Sequence, residues 1–212
     1  MGRVLSVNVG RPRLVDTGGR TVLTAIWKAP VEGRVAVRGV NIDGDEQADR
    51  SVHGGPDKAI YAYAIEETRT WEAELGRELG PGAFGENLTI EGVDVSGALV
   101  GERWRIGTTL LEVVQPRFPC FKLGLRMGDP TFVKRFGRAS RPGAYLRIVE
   151  QGELGAGDSV ELASVPDHGV TLRLISEAIL LDHGLIPQAL EAPQLIPSLR
   201  EWLSTIAINP RR

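Results

Sequence analysis

Short runs of apolar and β-branched residues, separated by turn residues, dominate residues 1–166 of this chain. Gly33–Val40 shows the pattern most clearly, because Val35 and Val37 lie on one face and charged or small residues lie on the other. A period of two is typical of a strand with one buried face. The same reasoning predicts strands at Arg3–Val9, Thr21–Trp27, Ala59–Ala64, Gly143–Glu150 and Ser159–Val165, and a hairpin formed by Arg103–Ile106 and Thr109–Val114.

Two helices interrupt this β-rich region. Ile65–Leu75 has a charged face, and Gly76 follows it in the position where a left-handed residue often ends a helix. Asp129-Pro130 combines a helix-capping side chain with a proline at the first helical position. It therefore predicts a short second helix that ends at Phe136.

The pattern changes after Pro166, where apolar residues recur at helical spacing. Leu172–Leu181 follows Thr171, which can cap a helix, and Ser198–Ile206 has a second helical pattern. We therefore predict two domains: a mainly β domain at residues 1–166, and a small three-helix domain at residues 167–212. A domain of this size forms only a small hydrophobic core. We therefore expect its helices to pack on the β domain or on a second chain.

Composition narrows the classes of function. The chain has 212 residues with 26 glycines and 13 prolines, which favours many short strands joined by tight turns. The net charge of −2 gives no overall attraction to nucleic acid or to an anionic membrane. No apolar run is long enough to span a bilayer, and the first residues lack the pattern of a signal peptide. With its single cysteine, the protein is expected in the reducing cytoplasm.

That cysteine is the first candidate for chemistry. Cys120 cannot form an internal disulfide, and it lies between Arg117 and Lys122 in the sequence. Nearby positive charge favours the thiolate, which is the form that acts as nucleophile and metal ligand. The guanidinium of Arg117 suits bidentate recognition of a phosphate or carboxylate. The alternatives are that Cys120 is a small buried apolar residue and that Arg117 forms a surface salt bridge.

A second candidate segment contains His53, Gly54, Gly55 and Lys58. Glycines allow backbone amides to approach a ligand closely, and successive loop amides can bind an anion. His53 and Lys58 could donate further hydrogen bonds to the same anion. The alternative is an ordinary turn between two strands, with Lys58 in solvent.

A third segment places Glu86 and Asn87 directly after Gly85. The pair offers carboxylate acceptors and an amide donor beside a flexible glycine. The alternative is a turn in which Asn87 supports the backbone and Glu86 is exposed.

Several common sites are absent from the sequence. The three histidines and Cys120 are far apart, without the spacing of a zinc site. The chain also lacks the glycine-rich patterns of dinucleotide sites and P-loops, and the Gly-x-Ser-x-Gly turn of serine hydrolases.

Taken in order, the three segments resemble a MOSC domain, the module named after the C-terminal part of molybdenum cofactor sulfurases. The matching positions lie in residues 53–59, 85–88 and 115–123. The similarity is greatest to the bacterial YiiM group, in which a small three-helix domain follows the MOSC barrel. The resemblance therefore covers nearly the whole chain.

The resemblance implies a pyruvate-kinase-type β-barrel that binds the molybdenum cofactor, with Cys120 as a ligand of molybdenum. Thiolate is a suitable soft donor for such a centre. Active relatives reduce N-hydroxylated compounds such as hydroxylaminopurines, with electrons from a separate flavin- or haem-containing reductase. His53 is then a candidate proton donor as well as a cofactor contact. The remaining expected cofactor contacts are Gly54, Gly55, Lys58, Glu86, Asn87, Arg117 and Lys122.

Two other functions remain open from the sequence. Cys120 could carry a persulfide and transfer sulfur without a bound pterin. The C-terminal helices resemble a helix-turn-helix in outline, but residues 167–212 contain four basic residues and five acidic ones. A recognition helix needs a basic face, so we expect no binding to duplex nucleic acid. A homodimer contact is a further option for these helices, through Leu180, Leu181, Leu185 and Trp202.

Overall fold

The computed structural model describes residues 2–48 and 54–208. Within these ranges the helices are α1 (Ile65–Leu75), α2 (Phe121–Met127), α3 (Phe132–Arg138), α4 (Leu172–Leu180), α5 (Ile186–Ala189) and α6 (Pro197–Ile208), with short 3₁₀ turns at Pro56–Lys58 and His183–Leu185. The strands are β1 (Gly2–Val9), β2 (Arg13–Asp16), β3 (Thr21–Thr24), β4 (Ala29–Pro30), β5 (Arg34–Arg38), β6 (Asn41–Ile42), β7 (Ile60–Ala64), β8 (Leu88–Glu91), β9 (Arg103–Ile106), β10 (Thr109–Pro116), β11 (Ala144–Glu150), β12 (Gly152–Gly155) and β13 (Ser159–Ser164).

Seven of these strands form a closed barrel in the order β13-β9-β10-β11-β7-β8-β1. The barrel closes where β1 pairs with β13, with Gly2 opposite Val160 and Arg3 opposite Ser159. All neighbours in the barrel are antiparallel except β7 and β8, which run parallel and are connected through α1. Closure leaves no unpaired edge in this sheet, which confirms the expectation of a mainly β barrel.

Smaller sheets surround the barrel. Strand β4 pairs with the end of β1, and β12, β5 and β6 form a three-stranded sheet. Strands β2 and β3 form a separate hairpin in which Leu14 lies opposite Leu23. Their loops, and those at the ends of the barrel strands, supply the candidate site described below.

The interior consists of two hydrophobic clusters. The larger cluster fills the barrel and continues into the C-terminal helices, so that Trp104 and Leu111 belong to the same core as Ile175 and Leu203. The smaller cluster is mainly aromatic and lies outside the barrel between α1, α2 and α3; its largest members are Tyr63, Trp71, Phe84, Phe132 and Phe136. The helices therefore pack directly on the β region, while the boundary at residue 166 stays a prediction.

A cluster of charged side chains, here called the junction, connects the C-terminal helices to the barrel. It consists of Glu67 of α1, Asp94, Ser140 and Arg173 of α4. The Arg173 guanidinium donates to both carboxylate oxygens of Asp94, at 3.2 and 2.9 Å, and its Nε donates to the Ser140 carbonyl oxygen at 3.1 Å. Thr171 caps α4 by accepting a hydrogen bond from the Leu174 N–H, as the sequence predicted.

Most of the long predicted elements are confirmed, and the errors concern short ones. Helix α1 has the predicted bounds, and Gly76 ends it in the left-handed conformation. The second helix begins at Phe132 instead of Pro130, because the Asp129 side chain caps a turn by accepting from the Thr131 N–H, and it ends at Arg138 instead of Phe136. The strand predicted at Thr21–Trp27 ends at Thr24. The elements that were not predicted are the strands β2, β4, β6, β8 and β12 and the helices α2 and α5.

Candidate functional site

An open cleft of about 100 Å³ lies at one end of the barrel and contains Cys120. Five parts of the chain line it: the segment after β3, the loop after β6, the start of β7, the turn before β8 and the segment that joins β10 to α2. Tyr145 of β11 completes the wall. The polar and ionisable residues of the lining include Lys28, Asp45, Lys58, Tyr61, Asn87, Arg117, Cys120, Lys122 and Tyr145.

Cys120 has a free and partly exposed thiol. It is the residue that precedes α2, in an extended conformation with φ −127° and ψ 169°. Its carbonyl oxygen accepts the Leu123 N–H at 2.9 Å, which fixes the backbone at this point. Cys120 lines the cleft and is only partly buried, so the alternative of a fully buried apolar cysteine is wrong.

Arg117 is buried against the wall of the cleft, with 6% of its surface exposed. Its guanidinium donates a hydrogen bond to the carbonyl oxygen of Phe84 and lies 5.0 Å from the ring centre of Tyr61. A carbonyl dipole and an aromatic face both stabilise a buried cation. The alternative of a surface salt bridge is therefore wrong, and the charge of Arg117 is held beside the thiol segment.

The glycine segment contributes Lys58 to the cleft. Gly55 has a φ of 90°, which disfavours other residues, and it begins the 3₁₀ turn that ends at Lys58. Its N–H donates to the side-chain oxygen of Gln47 at 3.3 Å. Burial lowers the pKa of Lys58, and the charge of Asp57 opposes this effect. His53 lies outside the described residues.

Gly54 and Gly55 are part-buried and do not line the cleft, whereas Lys122 of α2 does. Four of the predicted contacts, Lys58, Asn87, Arg117 and Lys122, thus line the same cleft as Cys120. The anion-binding roles assigned to these residues from the sequence stay predictions.

Glu86 is buried and supports its own loop instead of lining the cleft. One carboxylate oxygen accepts the Gly82 N–H at 2.6 Å and the Thr89 hydroxyl at 3.1 Å, and the other accepts the Phe84 N–H at 2.9 Å. Burial raises the pKa of Glu86, although these hydrogen bonds oppose the shift. The alternative of an exposed Glu86 is wrong, because only 1% of it is accessible.

Asn87 lines the cleft directly before β8, and its side chain joins the strands β7 and β1. Its side-chain oxygen accepts the Tyr61 N–H at 3.1 Å, and its side-chain nitrogen donates to the Asn8 carbonyl oxygen at 3.2 Å. Both polar atoms of the side chain therefore hold β7 and β1 in place. In this arrangement Asn87 shapes the cleft through the backbone.

The sequence did not single out Lys28 and Asp45, which also line the cleft. Their side chains form an ion pair and are 9% and 3% exposed. Burial lowers the pKa of Lys28, while the charge and the hydrogen bond of Asp45 oppose that effect. No local signal marks this pair, because the two residues lie on different loops and meet only in the folded chain.

Comparison with known proteins identifies the family. The family model described as the MOSC domain matches residues 49–161, which is more than half of the chain. The chain belongs to the MOSC domain family. Within residues 2–48 and 54–208, no three His, Cys, Asp or Glu side chains come together as a metal site. No helix in those ranges is long and apolar enough to cross a membrane.

Three curated relatives extend the similarity beyond the family model. The chain is 36% identical over 170 residues to the uncharacterized protein YflK of Bacillus subtilis, covering 80% of this chain and 77% of YflK. It is 33% identical over 145 residues to protein YiiM of Escherichia coli, covering 66% of this chain and 64% of YiiM. It is 34% identical over 169 residues to a Gibberella moniliformis protein named reductase, covering 78% of this chain but only 30% of that protein.

Solved structures share the fold over almost the whole chain. YiiM from Geobacillus stearothermophilus superimposes with a TM-score of 0.79 at 29% identity, covering 98% of this chain and all of that one. YiiM from Escherichia coli shares the fold with a TM-score of 0.76 at 23% identity. These similarities confirm that the chain is a YiiM-like MOSC protein.

Proposed function

We propose that this chain is a molybdenum-cofactor-dependent reductase of N-hydroxylated compounds, with Cys120 as the protein ligand of molybdenum. The observation that carries the proposal is a partly exposed thiol in a cleft lined by several cations. The relative named reductase supports the class of reaction. The family supports the class of cofactor.

The residues of the cleft fit this cofactor chemically. A thiolate is a soft donor suited to molybdenum, and Cys120 presents one to the cleft. The phosphate of a pterin needs cations, which Lys58, Arg117 and Lys122 would supply. Gly54 and Gly55 lie outside this lining, and the Gly55 N–H already donates to Gln47, so we assign the phosphate to the three cations alone. Glu86 and Asn87 would act indirectly, by holding the walls in place.

The reaction balances when a bound R–NHOH takes up two electrons and two protons and gives R–NH₂ and water. When bound, the molybdenum cofactor would supply the two-electron chemistry that cleaves the N–O bond. The chain would bind and orient the substrate and deliver the protons, for which His53 was the sequence-based candidate. A separate flavin- or haem-containing reductase would supply the electrons, and a location in the cytoplasm would suit such a partner.

Elemental analysis tests the cofactor. The wild-type chain, expressed in a host that makes the molybdenum cofactor, should contain close to one molybdenum per chain. Cys120→Ala should remove the metal or abolish reduction of a hydroxylaminopurine by an excess of a chemical reductant. A Cys120→Ala protein that keeps both metal and turnover would contradict the assignment of the ligand.

The second candidate is a sulfur carrier that holds a persulfide on Cys120, and the accessible free thiol favours it. Mass spectrometry of freshly purified protein separates the two candidates. An adduct with the mass of one sulfur atom on Cys120, together with no molybdenum, would favour the carrier over the reductase.

A further inference from the structure

Lys28 is a cleft residue that neither the sequence motifs nor the family match includes. It lies before residue 49, where the match to the MOSC domain begins. It lines the same cleft as Cys120 and Arg117, and 9% of its side chain is exposed. Among the residues that the structure describes, Asp45 is its ion-pair partner.

The partner of Lys28 is itself held firmly. The Asp45 oxygen that pairs with Lys28 also accepts the Gly10 N–H at 2.8 Å. The backbone of Asp45 accepts a hydrogen bond from the Asn41 side chain at 2.6 Å and donates one to the Ile42 carbonyl at 3.1 Å. Asp45 can therefore fix the direction of the Lys28 ammonium group.

Three glycines enclose the segment that carries Lys28 into the cleft. A Cβ atom on Gly10 would lie 2.7 Å from the Trp27 carbonyl oxygen, and one on Gly82 would lie 2.7 Å from that of Lys28. One on Gly85 would lie 2.8 Å from the Ile26 side chain. Contacts this short require glycine at all three positions.

Glu86 connects this enclosure to the third sequence motif. Its carboxylate binds the N–H groups of Gly82 and Phe84, which fixes the loop that packs against Lys28. Three separate features, the glycines, Glu86 and Asp45, thus act on the placement of one buried ammonium group. The number of contacts that position this one side chain indicates that it contacts the ligand of the cleft.

The chemistry of Lys28 favours proton transfer over charge pairing. Its charge is already balanced by Asp45, so it offers little net attraction to an anion. Its burial lowers the pKa, which makes it a readier proton donor than a lysine on the surface. The hydroxyl of Tyr61 is already bonded to the Pro142 carbonyl, and burial raises the pKa of both Tyr61 and Tyr145.

We propose that Lys28, oriented by Asp45, donates a proton to the substrate bound in this cleft. The inference rests on the proposed function. In the reduction of R–NHOH, the N–H bond of the ammonium breaks and the proton joins the oxygen that leaves as water. The N–O bond breaks, the two electrons come from the flavin or haem reductase, and the nitrogen takes the second proton from solvent to give R–NH₂. Solvent then returns a proton to Lys28.

The test compares Lys28→Met and Lys28→Arg with Lys134→Met, which removes an exposed lysine of α3. We expect all three to contain as much molybdenum as the wild type. Both Lys28 variants should lose roughly 100-fold or more in kcat with little change in KM, because a guanidinium stays protonated and cannot replace a proton donor. Unchanged kcat in Lys28→Met, or loss of molybdenum that Lys28→Arg restores, would overturn the proposal.

Lys28→Met leaves a buried Asp45 without its partner, so the double variant with Asp45→Asn serves if the single variant does not fold. Asp45→Asn alone should shift the pH profile of kcat, which a purely structural role would not do. An unshifted profile with full turnover would count against Asp45 as the positioning residue.

A measurement on the cofactor-free protein separates this inference from the proposed function. NMR of ¹³C-labelled lysine should show a Lys28 signal, assigned by its loss in Lys28→Arg, with a pKa below the ordinary lysine value of 10.5. A pKa at or above that value would overturn the role of Lys28 even if the protein binds molybdenum. Absence of molybdenum from the wild type would overturn the proposed function, and with it the assigned reaction.

Discussion

The cleft and the junction each contain buried charged side chains, Lys28 and Arg117 in the cleft and Glu67 at the junction, but the surroundings of these charges differ. At the junction, the donors of Arg173 are taken up by Asp94 and Ser140, and the result holds α4 against the barrel. In the cleft, Lys28 and Arg117 face an open space. The ligand chemistry proposed above therefore concerns only the charges that border an opening, whereas the charges of the junction hold two parts of the fold together.

The predicted C-terminal charges fit the same distinction. Arg173 is bound at the junction, and Arg200 donates to the carbonyl oxygens of Leu190 and Ala192 at 3.1 and 2.6 Å. Both cations thus hold the helices in place. Leu181 and Trp202 are 47% and 42% exposed, so a homodimer through this surface stays a proposal that sedimentation can test.

Removing the Glu86 carboxylate, which supports the wall of the cleft, should have the largest effect on the free energy of unfolding. Glu86→Ala leaves two buried N–H groups without an acceptor, each worth about 1–3 kcal/mol, so the free energy of unfolding should fall by roughly 3–5 kcal/mol. Glu86→Gln keeps one acceptor oxygen and should lose less. Urea unfolding measures the free energy of unfolding of both variants. Equal stability of Glu86→Ala and Glu86→Gln would contradict the supporting role of the oxygen that glutamine keeps.

The junction should make stability depend on pH through Glu67. Burial raises the pKa of Glu67 from 4.5 to about 7; the charge of Asp94 adds to the shift, and Ser96, Arg173 and Arg141 oppose it. One of its carboxylate oxygens is buried without a hydrogen-bond partner among the described residues. The folded chain holds this proton more tightly than the unfolded chain, so the contribution is full below pH 4.5 and is lost as pH rises through about 7.

Glu67→Gln imitates the protonated side chain at every pH. It should therefore be more stable than the wild type at pH 8, by up to ~3 kcal/mol, and nearly equal to it at pH 4.5. Unfolding in urea at both pH values gives the difference. A difference that does not change with pH would show that Glu67 titrates normally.

Replacing Arg173 at the junction should lower the free energy of unfolding by a smaller amount. Arg173→Met removes three hydrogen bonds, but its side chain is 37% exposed, so water can replace part of what is lost. We expect a loss of about 1–2 kcal/mol in the free energy of unfolding. Faster hydrogen exchange should be confined to α4 and its neighbours, and exchange that rises equally in the barrel would contradict a local role.

A surface pair should matter least. Arg105 and Glu150 form a 2.9 Å ion pair with side chains 41% and 52% exposed. Arg105→Met should change the free energy of unfolding by less than about 0.5 kcal/mol. It is also a matched control for Arg173→Met, and a similar loss in the two variants would remove the distinction between junction and surface.

The sequence by itself determined the barrel strands with clear alternation, the helices α1, α4 and α6, and Cys120 as the first candidate for chemistry. These features are local, because residue periodicity, capping residues and a single thiol can be recognised without knowing what packs against them. The motifs also carried the family, which the comparison confirmed.

Only the tertiary structure decided the rest. Helix α2 contains Gly124, which weakens a helix, but a Cβ atom there would lie 3.2 Å from the Asp129 carbonyl oxygen. Glu86 supports a loop, and Lys28 meets Asp45 and Cys120 in one cleft. These outcomes depend on contacts between segments far apart in the chain, which propensities and spacings do not record.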